Sequence, residues 1–223
     1  FDPFMHGHII DLGLIDFLSA YHIQQQPVRK VLDERIPVVI LCEHRPVFTL
    51  GRLAREGGSL LDPGSIRQQG IDILRTDRGG DVTFHGPGQL IAYPIFFLEE
   101  PFRDLKKFLY KLEDVVIDLL KYFGIVANRL NGYTGVFVRE KKIASMGIGV
   151  KKWVTHHGIG LNVSTDLSFF SLIRPCGLDV AMTSIARELK TDISMGLVKR
   201  EILHQLAIKF DLKVSDICYD KRN

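Results

Sequence analysis

A long amphipathic pattern near the middle of the chain constrains the fold more than any other feature. Residues 102–123 place apolar side chains at a helical period, fill the other face with charged side chains and end at Gly124. This pattern predicts a helix over 102–123. We also expect a helix over 197–210 and a third within 14–33, where Pro27 should kink or split it.

Short stretches rich in Val, Ile, Tyr and Phe surround these helices and predict strands, because Gly or Pro stands at several of their ends. The stretches are 36–42, 46–50, 71–77, 90–97, 133–139, 142–150 and 153–163. Strands and long helices follow one another without regular strand–helix–strand alternation. The sequence therefore predicts an α+β (mixed α/β) fold in which helices pack on a single mixed sheet.

Composition and length favour one soluble globular unit. With 223 residues, 46% of them apolar and 25% charged, the chain is neither disordered nor collagen-like. No linker or repeat divides it, so we interpret residues 5–223 as a single domain and residues 1–4, before Met5, as a remnant of expression. No apolar run is long enough to cross a bilayer. The three cysteines do not suggest a disulfide scaffold, and we expect a cytoplasmic protein.

The segment Arg78–Leu90 concentrates four glycines and a proline around Thr83-Phe84-His85. Such a backbone is suited to approach another group closely. A pair of tight turns around a short strand would explain the glycines but not the Arg, His and Gln held among them. The segment matches neither the phosphate-binding loop nor the dinucleotide fingerprint. With a net charge of only +3 and no basic stripe, the chain is also not predicted to bind nucleic acid.

The three cysteines differ in their surroundings. Cys42 ends an apolar strand and is expected to be a small core residue, and Cys218, near an end expected to fray, is given no role. Cys176 stands between Pro175 and Gly177, which suits a side chain presented at a turn. It is the best candidate nucleophile, although for a lone Pro-Cys-Gly a structural cysteine is the better reading.

A nucleophilic cysteine needs a base or a cation nearby to hold it as thiolate. The candidates are Lys142, His85, His156 and His157. In a strand, Lys142 would line a groove while Lys141 points away; a solvated basic pair is an equally good interpretation. His156 and His157 should face opposite sides of their strand, so they are not expected to share a metal, and no metal site is predicted.

Several motifs occurring together in order carry a resemblance to a known family. They are CEHRPVFTLGR (42–52), RGGDVTFHGPGQLIAYPI (78–95), KIASMGIGV (142–150), HHGIGLNV (156–163) and RPCGL (174–178). In combination they resemble the bacterial octanoyltransferases of lipoate biosynthesis. The resemblance implies a fold similar to the biotin and lipoate protein ligases. It implies transfer of octanoate from octanoyl acyl carrier protein to a lysine of apo lipoyl domains, those of 2-oxoacid dehydrogenases and the glycine cleavage H protein.

Site residues also follow from the resemblance. Cys176 becomes the acyl-thioester nucleophile and Lys142 the group that lowers its pKa. The implied substrate contacts are Arg78, Gly79, Gly80, Asp81, Val82, Thr83, Phe84, His85, Ser145, Met146, Gly147, Gly158, Ile159 and Gly160. Because a thioester donor is already activated, no nucleotide or other cofactor is expected.

Two other functions remain open at this point. An ATP-dependent lipoate or octanoate protein ligase would share the fold but would not need a cysteine nucleophile. A catalytically silent module could bind acyl carriers or lipoyl domains in the same groove, although the Cys176 and Lys142 pair argues against it. For acidic partners we expect a docking face that includes Lys106, Lys107, Lys151 and Lys152.

Overall fold

A computed structural model of the chain describes residues 5–55, 59–99, 103–174 and 180–219. The helices are α1 (Phe17–Glu34), α2 (Pro63–Gln68), α3 (Leu105–Tyr122), α4 (Ile185–Leu189) and α5 (Met195–Phe210), and a 3-10 helix spans Leu167–Leu172. The strands are β1 (Met5–Ile15), β2 (Val38–His44), β3 (Val47–Leu50), β4 (Asp72–Arg75), β5 (Val82–His85), β6 (Gln89–Ile95), β7 (Val136–Val138), β8 (Lys141–Lys151), β9 (Val154–Asn162) and β10 (Leu212–Tyr219). Within these ranges no helix combines the length and apolar composition that a membrane span needs.

Ten strands of the described chain form two sheets. The large sheet has seven strands in the order β10-β1-β2-β6-β9-β8-β7, and the small sheet has the order β4-β3-β5. In the large sheet β1 pairs in parallel with β10 and β2, and the remaining pairs are antiparallel. The predicted mixed α/β class with a mixed sheet is therefore confirmed.

The prediction of a single sheet was wrong, because the small sheet is separate. Only Arg45 and Pro46 lie between β2 and β3, yet the two strands belong to different sheets. The partner of β3 on one side is β5, which lies inside the glycine-rich segment. A strand of four residues between glycines carries too little pattern to be recognised as a sheet member.

Helices cover both faces of the large sheet because side chains alternate along its buried strands. Val39 and Leu41 of β2 belong to the core cluster built by α3 and α5. Ile40 and Cys42 belong to the cluster built by α1. Cys42 is fully buried there, which confirms its expected role as a small core residue.

The two predicted long helices at 102–123 and 197–210 form close to their expected bounds. In α3 the Asp104 side chain caps the first turn by accepting from the backbone N–H groups of Lys106 and Lys107, and Phe102 lies outside the described residues. Of the predicted kink or split at Pro27, the split was wrong, since α1 runs without interruption from Phe17 to Glu34. Proline removes one hydrogen bond, and packing of buried residues on both sides of it keeps the helix continuous.

The expectation that the chain around Cys218 is frayed was also wrong, since Leu212–Tyr219 forms a strand. Strand β10 follows α5 after a single residue, Asp211, in the left-handed conformation. It pairs in parallel with β1 at the edge of the large sheet, where Cys218 is opposite Ile10. Residues on an edge strand have few local signals, because the pairing partner lies some two hundred positions away in sequence.

Replacing Leu112 by Ala should lower the free energy of unfolding by about 2–5 kcal/mol, because this fully buried α3 side chain would leave a cavity in the core. Leu18→Ala on α1 is the matched control, since that leucine is 50% exposed and its loss should cost less than about 1 kcal/mol. Urea unfolding monitored by circular dichroism measures both. Equal losses in the two variants would contradict the assigned core.

Candidate active site

A cavity of about 840 Å³ lies between the α1 face of the large sheet and the small sheet. Strands β6, β8 and β9 contribute to one side, and β5 with the glycine-rich loop before it contributes to another. Apolar groups make up most of the lining, among them Phe17, Ile91 and Phe170. A cavity of this size and character is suited to a ligand with an apolar body and a polar end.

Close backbone contacts hold the glycine-rich loop at the edge of the cavity. The Gly79 N–H donates to the carbonyl of Ile148 on β8 at 2.8 Å. A Cβ on Gly147 would lie 2.9 Å from the Gly79 carbonyl oxygen, and one on Gly51 would lie 2.3 Å from that of Gly80. The close approach expected of this segment is therefore an approach to β8 and to the end of β3, and it requires glycine.

Most of the predicted substrate contacts surround the cavity. Those in its lining are Arg78, Gly80, Asp81, Val82, Thr83, His85, Ser145, Met146, Gly147, Gly158, Ile159 and Gly160, together with Lys142. Residues from three separate sequence motifs, 78–95, 142–150 and 156–163, are thus brought to one site. Two predicted contacts, Gly79 and Phe84, are not in the lining.

Phe84 is placed in the core of the small sheet. Its ring stacks on Phe169 with centroids 4.5 Å apart and contacts Phe48 at 5.2 Å. Strand alternation explains this placement, because Phe84 points to the face opposite Thr83 and His85. Gly79 contributes its backbone to the contact with β8 instead.

Cys176 lies in 175–179, outside the described residues. Both residues that border this segment, Arg174 and Val180, line the cavity. The backbone of Lys142 is hydrogen-bonded to the chain that follows segment 175–179. The Lys142 N–H donates to the Ala181 carbonyl at 2.8 Å, and the Lys142 carbonyl accepts from the Thr183 N–H at 2.9 Å. The strand carrying Lys142 therefore runs alongside the chain that leads away from Cys176.

Lys142 lines the cavity and the neighbouring Lys141 does not, as expected from alternation along β8. The ammonium nitrogen Nζ of Lys142 is 5.7 Å from the centre of the Phe137 ring, on the adjacent strand β7. This contact places a cation over an aromatic face. The interpretation of Lys141 and Lys142 as a solvated basic pair does not apply to Lys142.

The Arg78 side chain stabilises the glycine-rich loop by hydrogen bonds. Its Nη2 donates to the Thr49 carbonyl at 2.7 Å, its Nε donates to the Thr49 hydroxyl at 3.2 Å and its Nη1 donates to the Gly79 carbonyl at 3.0 Å. Burial lowers the pKa of Arg78 to about 10, so the guanidinium remains charged at neutral pH. Asp81 also stabilises this loop, because its carboxylate accepts hydrogen bonds from the Ser59 hydroxyl and the Val82 N–H.

The hydrogen-bond network around His85 fixes its tautomer. Asn162 donates to the Thr183 carbonyl through Nδ2, so its Oδ1 accepts from Gln89 Nε2. Gln89 then presents Oε1 to His85, whose Nδ1–H must donate across 2.7 Å. The other ring nitrogen, Nε2, accepts from the Thr49 hydroxyl at 3.3 Å. His85 is therefore neutral, and both ring nitrogens are used inside the protein.

His44, which sequence reasoning did not single out, lies beside this network. Its Nδ1–H donates to the Ile15 carbonyl at 3.2 Å, and its Nε2 accepts from the Tyr93 hydroxyl at 2.6 Å. Burial lowers the pKa of His44 to about 4. Burial likewise holds the pKa of His85 well below its ordinary value, and the nearby His44 adds to the effect.

His156 and His157 share one carboxylate, so the prediction that they face opposite sides was wrong. Their Nε2 atoms each lie 2.8 Å from an oxygen of Asp77. His157 has a φ of +57°, which breaks the alternation of β9. The His156 ring occupies the place where a Cβ of Gly149 would be, 2.2 Å from Nε2. Hydrogen bonds, first that from His157, hold the pKa of Asp77 well below its ordinary value.

Asp77, His156 and His157 form the one group among the described residues that has the geometry of a metal site, with three ligand atoms within 4.8 Å of one another. On metal binding through Nε2, each imidazole would carry its proton on Nδ1. His156 Nδ1 is buried without a hydrogen-bond partner, so that N–H would be left unpaired. The residues therefore fit a shared carboxylate better than a metal, and Asp77 acts as the orienting group for both rings.

The charged groups of the cavity are mainly basic. Arg78, Lys142, Arg174 and Arg187 line it, against the single acidic residue Asp81. Arg174 and Arg187 are exposed, as are the lining residues Leu53, Leu61 and Tyr133. The opening thus combines basic and apolar groups, and it suits a ligand or a partner surface that carries both acidic and apolar groups.

The four lysines predicted to form the docking face lie elsewhere. Lys151 is nine residues along β8 from Lys142, or about 30 Å at the rise of a strand. The start of α3, with Lys106 and Lys107, is near the same end, where Arg103 lies over the Trp153 ring. Docking on these lysines would leave a partner far from Lys142, and the cavity opening is the closer basic surface.

Comparison with known proteins relates the chain to enzymes of lipoylation. The model of the lipoyl protein ligase A/B catalytic domain matches residues 16–207. An octanoyltransferase of Caldanaerobacter subterraneus is 37% identical over 212 residues, covering 95% of this chain and 93% of that protein. One from Rubrobacter xylanophilus is 43% identical over 195 residues, covering 86% and 87%.

Solved structures at low identity share the fold. Lipoate-protein ligase A bound with ATP has a TM-score of 0.82 at 17% identity, covering 98% of this chain and 90% of that chain. A bipartite lipoate protein ligase from Thermoplasma acidophilum has a TM-score of 0.75 at 16% identity, covering 98% and 88%. Biotin protein ligase from Aquifex aeolicus has a TM-score of 0.55 at 14% identity, covering 91% and 70%. The predicted likeness to the biotin and lipoate protein ligase fold is confirmed.

The buried neutral His44 should make stability depend on pH. Its folded pKa of about 4 lies below the unfolded value near 6.5, so its contribution is complete above pH 6.5 and is lost as pH falls towards 4, on the order of 3 kcal/mol. Urea unfolding between pH 7 and pH 4 measures this slope. His44→Gln should reduce the slope without abolishing it, because burial also lowers the pKa values of His85 and His157. A variant with the wild-type slope would contradict the assignment.

Proposed function

Because the chain belongs to the lipoyl protein ligase A/B catalytic domain family and has octanoyltransferases as relatives, we propose that it transfers octanoate through a thioester on Cys176. The protein is an acyltransferase of lipoyl or octanoyl groups. The donor is octanoyl acyl carrier protein. The acceptors are lysines of apo lipoyl domains in 2-oxoacid dehydrogenases and of the glycine cleavage H protein.

The position of Lys142 is the observation that carries this proposal. Its backbone is bonded to Ala181 and Thr183, a few residues after Cys176, and its side chain lines the same cavity as Arg174 and Val180. A cation at this place supports a thiolate at position 176, because an opposite charge nearby favours the ionised form. His85 cannot act as the base that ionises this thiol, since both of its ring nitrogens already form hydrogen bonds inside the protein.

In the first half-reaction, the Cys176 thiolate attacks the carbonyl carbon of the octanoyl thioester. A new carbon–sulfur bond forms to Cys176, and the bond to the carrier sulfur breaks. The Lys142 ammonium gives its proton to the leaving carrier thiolate and becomes a neutral amine. One thioester replaces another, so the step needs no ATP.

In the second half-reaction, the amine of the acceptor lysine attacks the thioester carbon of acylated Cys176. An amide bond forms, and Cys176 leaves as thiolate. Neutral Lys142 takes the proton that the attacking amine loses, which restores the ammonium beside the thiolate. One residue thus acts as the acid of the first step and the base of the second.

The apolar lining accounts for an acyl substrate. Phe17 and Ile91 are buried in the wall of the cavity, and Phe170 and Leu61 line it as well. Each methylene that leaves water for such a surface contributes about 0.8 kcal/mol. An eight-carbon chain can therefore be held by burial, while the basic opening faces the protein that delivers it.

Intact-protein mass spectrometry tests the covalent step. Wild-type protein mixed with octanoyl acyl carrier protein without ATP should gain one octanoyl group, and an apo lipoyl domain added next should remove it. Cys176→Ser should form no labile thioester adduct and should lose transfer by at least about a thousandfold, because the strong nucleophile is absent.

Cys218→Ser is the matched control and should keep the adduct. If wild-type protein forms none, yet the lipoyl domain is octanoylated when free octanoate and ATP are supplied, the protein is an ATP-dependent ligase and Cys176 is structural. If neither condition modifies the domain, the protein is a binding module.

Charge reversal at the cavity opening tests docking. Arg187→Glu should raise the KM for octanoyl acyl carrier protein by about tenfold at low salt and leave kcat nearly unchanged, because a charge at the rim steers encounter. Lys151→Glu, at the far end of β8, should change KM less than about twofold. A larger effect at Lys151 would favour the docking face predicted from sequence.

A further inference from the structure

Glu113 is a buried carboxylate of α3 that the proposed mechanism does not use. Its side chain is only 3% exposed. Oε1 accepts from the Gly135 N–H at 2.9 Å, and Oε2 accepts from the Arg129 Nε–H at 2.6 Å. A carboxylate buried in a protein core is strongly destabilising unless it is paired and hydrogen-bonded, so these two contacts are what allow Glu113 to be there.

The two partners of Glu113 are the two ends of one loop, residues 129–135. Just before the loop, Asn128 exchanges both backbone hydrogen bonds with Phe137, each at 2.8 Å, which closes its base. The tip of the loop, residues 132–134, lines the cavity. Glu113 therefore holds, from the helix side, a loop whose other side is a wall of the candidate active site.

Gly135 is in direct contact with the end of the Lys142 side chain. A Cβ at position 135 would lie 2.5 Å from Lys142 Cε and 3.2 Å from Nζ, and 2.6 Å from the Ala144 carbonyl oxygen. The φ of Gly135 is +133°, a conformation that glycine adopts readily. The backbone at 135 thus limits where the ammonium of Lys142 can go.

We propose that Glu113 is a positioning residue that holds Gly135 against the side chain of Lys142 and so fixes the ammonium in the cavity. The inference rests on the proposed function, in which Lys142 acts on Cys176. A lysine has many rotamers, and a fixed neighbour reduces the number that it can occupy. Releasing either end of the loop would let the ammonium move away from the thiol and weaken its effect there.

Two substitutions release this contact in different ways. Glu113→Gln keeps the size of the side chain. Gly135 and Arg129 donate to different oxygens of Glu113, so in the amide one of these donors would face an NH2 group, which cannot accept. Gly135→Ala keeps Glu113 and instead pushes a methyl group against the Lys142 side chain and the Ala144 carbonyl oxygen. Lys142→Ala gives the full effect of losing the ammonium.

Each substitution has a matched control. Asp118→Asn removes another carboxylate of α3, which pairs with Lys209 at 2.5 Å and does not touch the loop. Gly124→Ala alters another glycine of positive φ, +75°, where a Cβ would meet nothing within 4 Å. Asp118→Asn thus loses an ion pair, as Glu113→Gln does, and Gly124→Ala places a side chain at a positive φ, as Gly135→Ala does. Neither control touches Lys142.

The readout is the pH dependence of Cys176 alkylation by iodoacetamide, monitored by mass spectrometry of the Cys176 peptide, together with the single-turnover acylation rate. Glu113→Gln and Gly135→Ala should move the alkylation midpoint up by about one pH unit, towards that of Lys142→Ala. Acylation at pH 7 should fall by about tenfold. Asp118→Asn and Gly124→Ala should keep the wild-type midpoint.

Thermal unfolding of all variants separates positioning from folding. If Glu113→Gln and Gly135→Ala lose stability but keep the wild-type midpoint, Glu113 is only structural and the inference is overturned. If Glu113→Gln does not fold, the alkylation midpoint of Gly135→Ala alone tests the inference, and a wild-type midpoint there overturns it. If wild-type Cys176 forms no adduct with the donor, or if Lys142→Ala keeps the wild-type midpoint, the proposed function itself fails, which is a distinct result.

Discussion

The close contact between the glycine-rich loop and β8 is the constraint on which the rest of the site depends. The Gly79 N–H donates to Ile148 on β8, and Gly147 leaves room for the Gly79 carbonyl. This contact joins the small sheet to the large one, and the cavity lies between them. A side chain at Gly147 would collide with the Gly79 carbonyl and push the glycine-rich loop away from β8.

Buried histidines complete the cavity without adding charge to it. His44 and His85 have their tautomers fixed by hydrogen bonds, and burial lowers their pKa values. His157 is oriented by Asp77, and burial lowers its pKa as well. The remaining ionised groups around the cavity, chiefly arginines and Lys142, therefore set its electrostatics. A thiolate and an acidic partner are both favoured in such surroundings.

Sequence patterns predicted the elements with strong local signals. The helix α3 was recognised from its apolar stripe and Gly124, and the strand β8 from its small residues between lysines. The small sheet was missed because β5 is short and lies among glycines. Asp77 and Glu113 were also missed, since a lone carboxylate carries no pattern and only its partners, His157 and Gly135, give it a role.

The sequence by itself determined the family and the mixed fold class and predicted which segments carry the site, because motif order and periodicity are local properties of the chain. Only the tertiary structure decided that those segments line one cavity, that His85 is committed to internal hydrogen bonds, and that adjacent His156 and His157 face one carboxylate. These outcomes depend on contacts between residues tens of positions apart and on a single positive φ at His157. Neither the contacts nor the φ can be recognised from the pattern of neighbouring residues in the sequence.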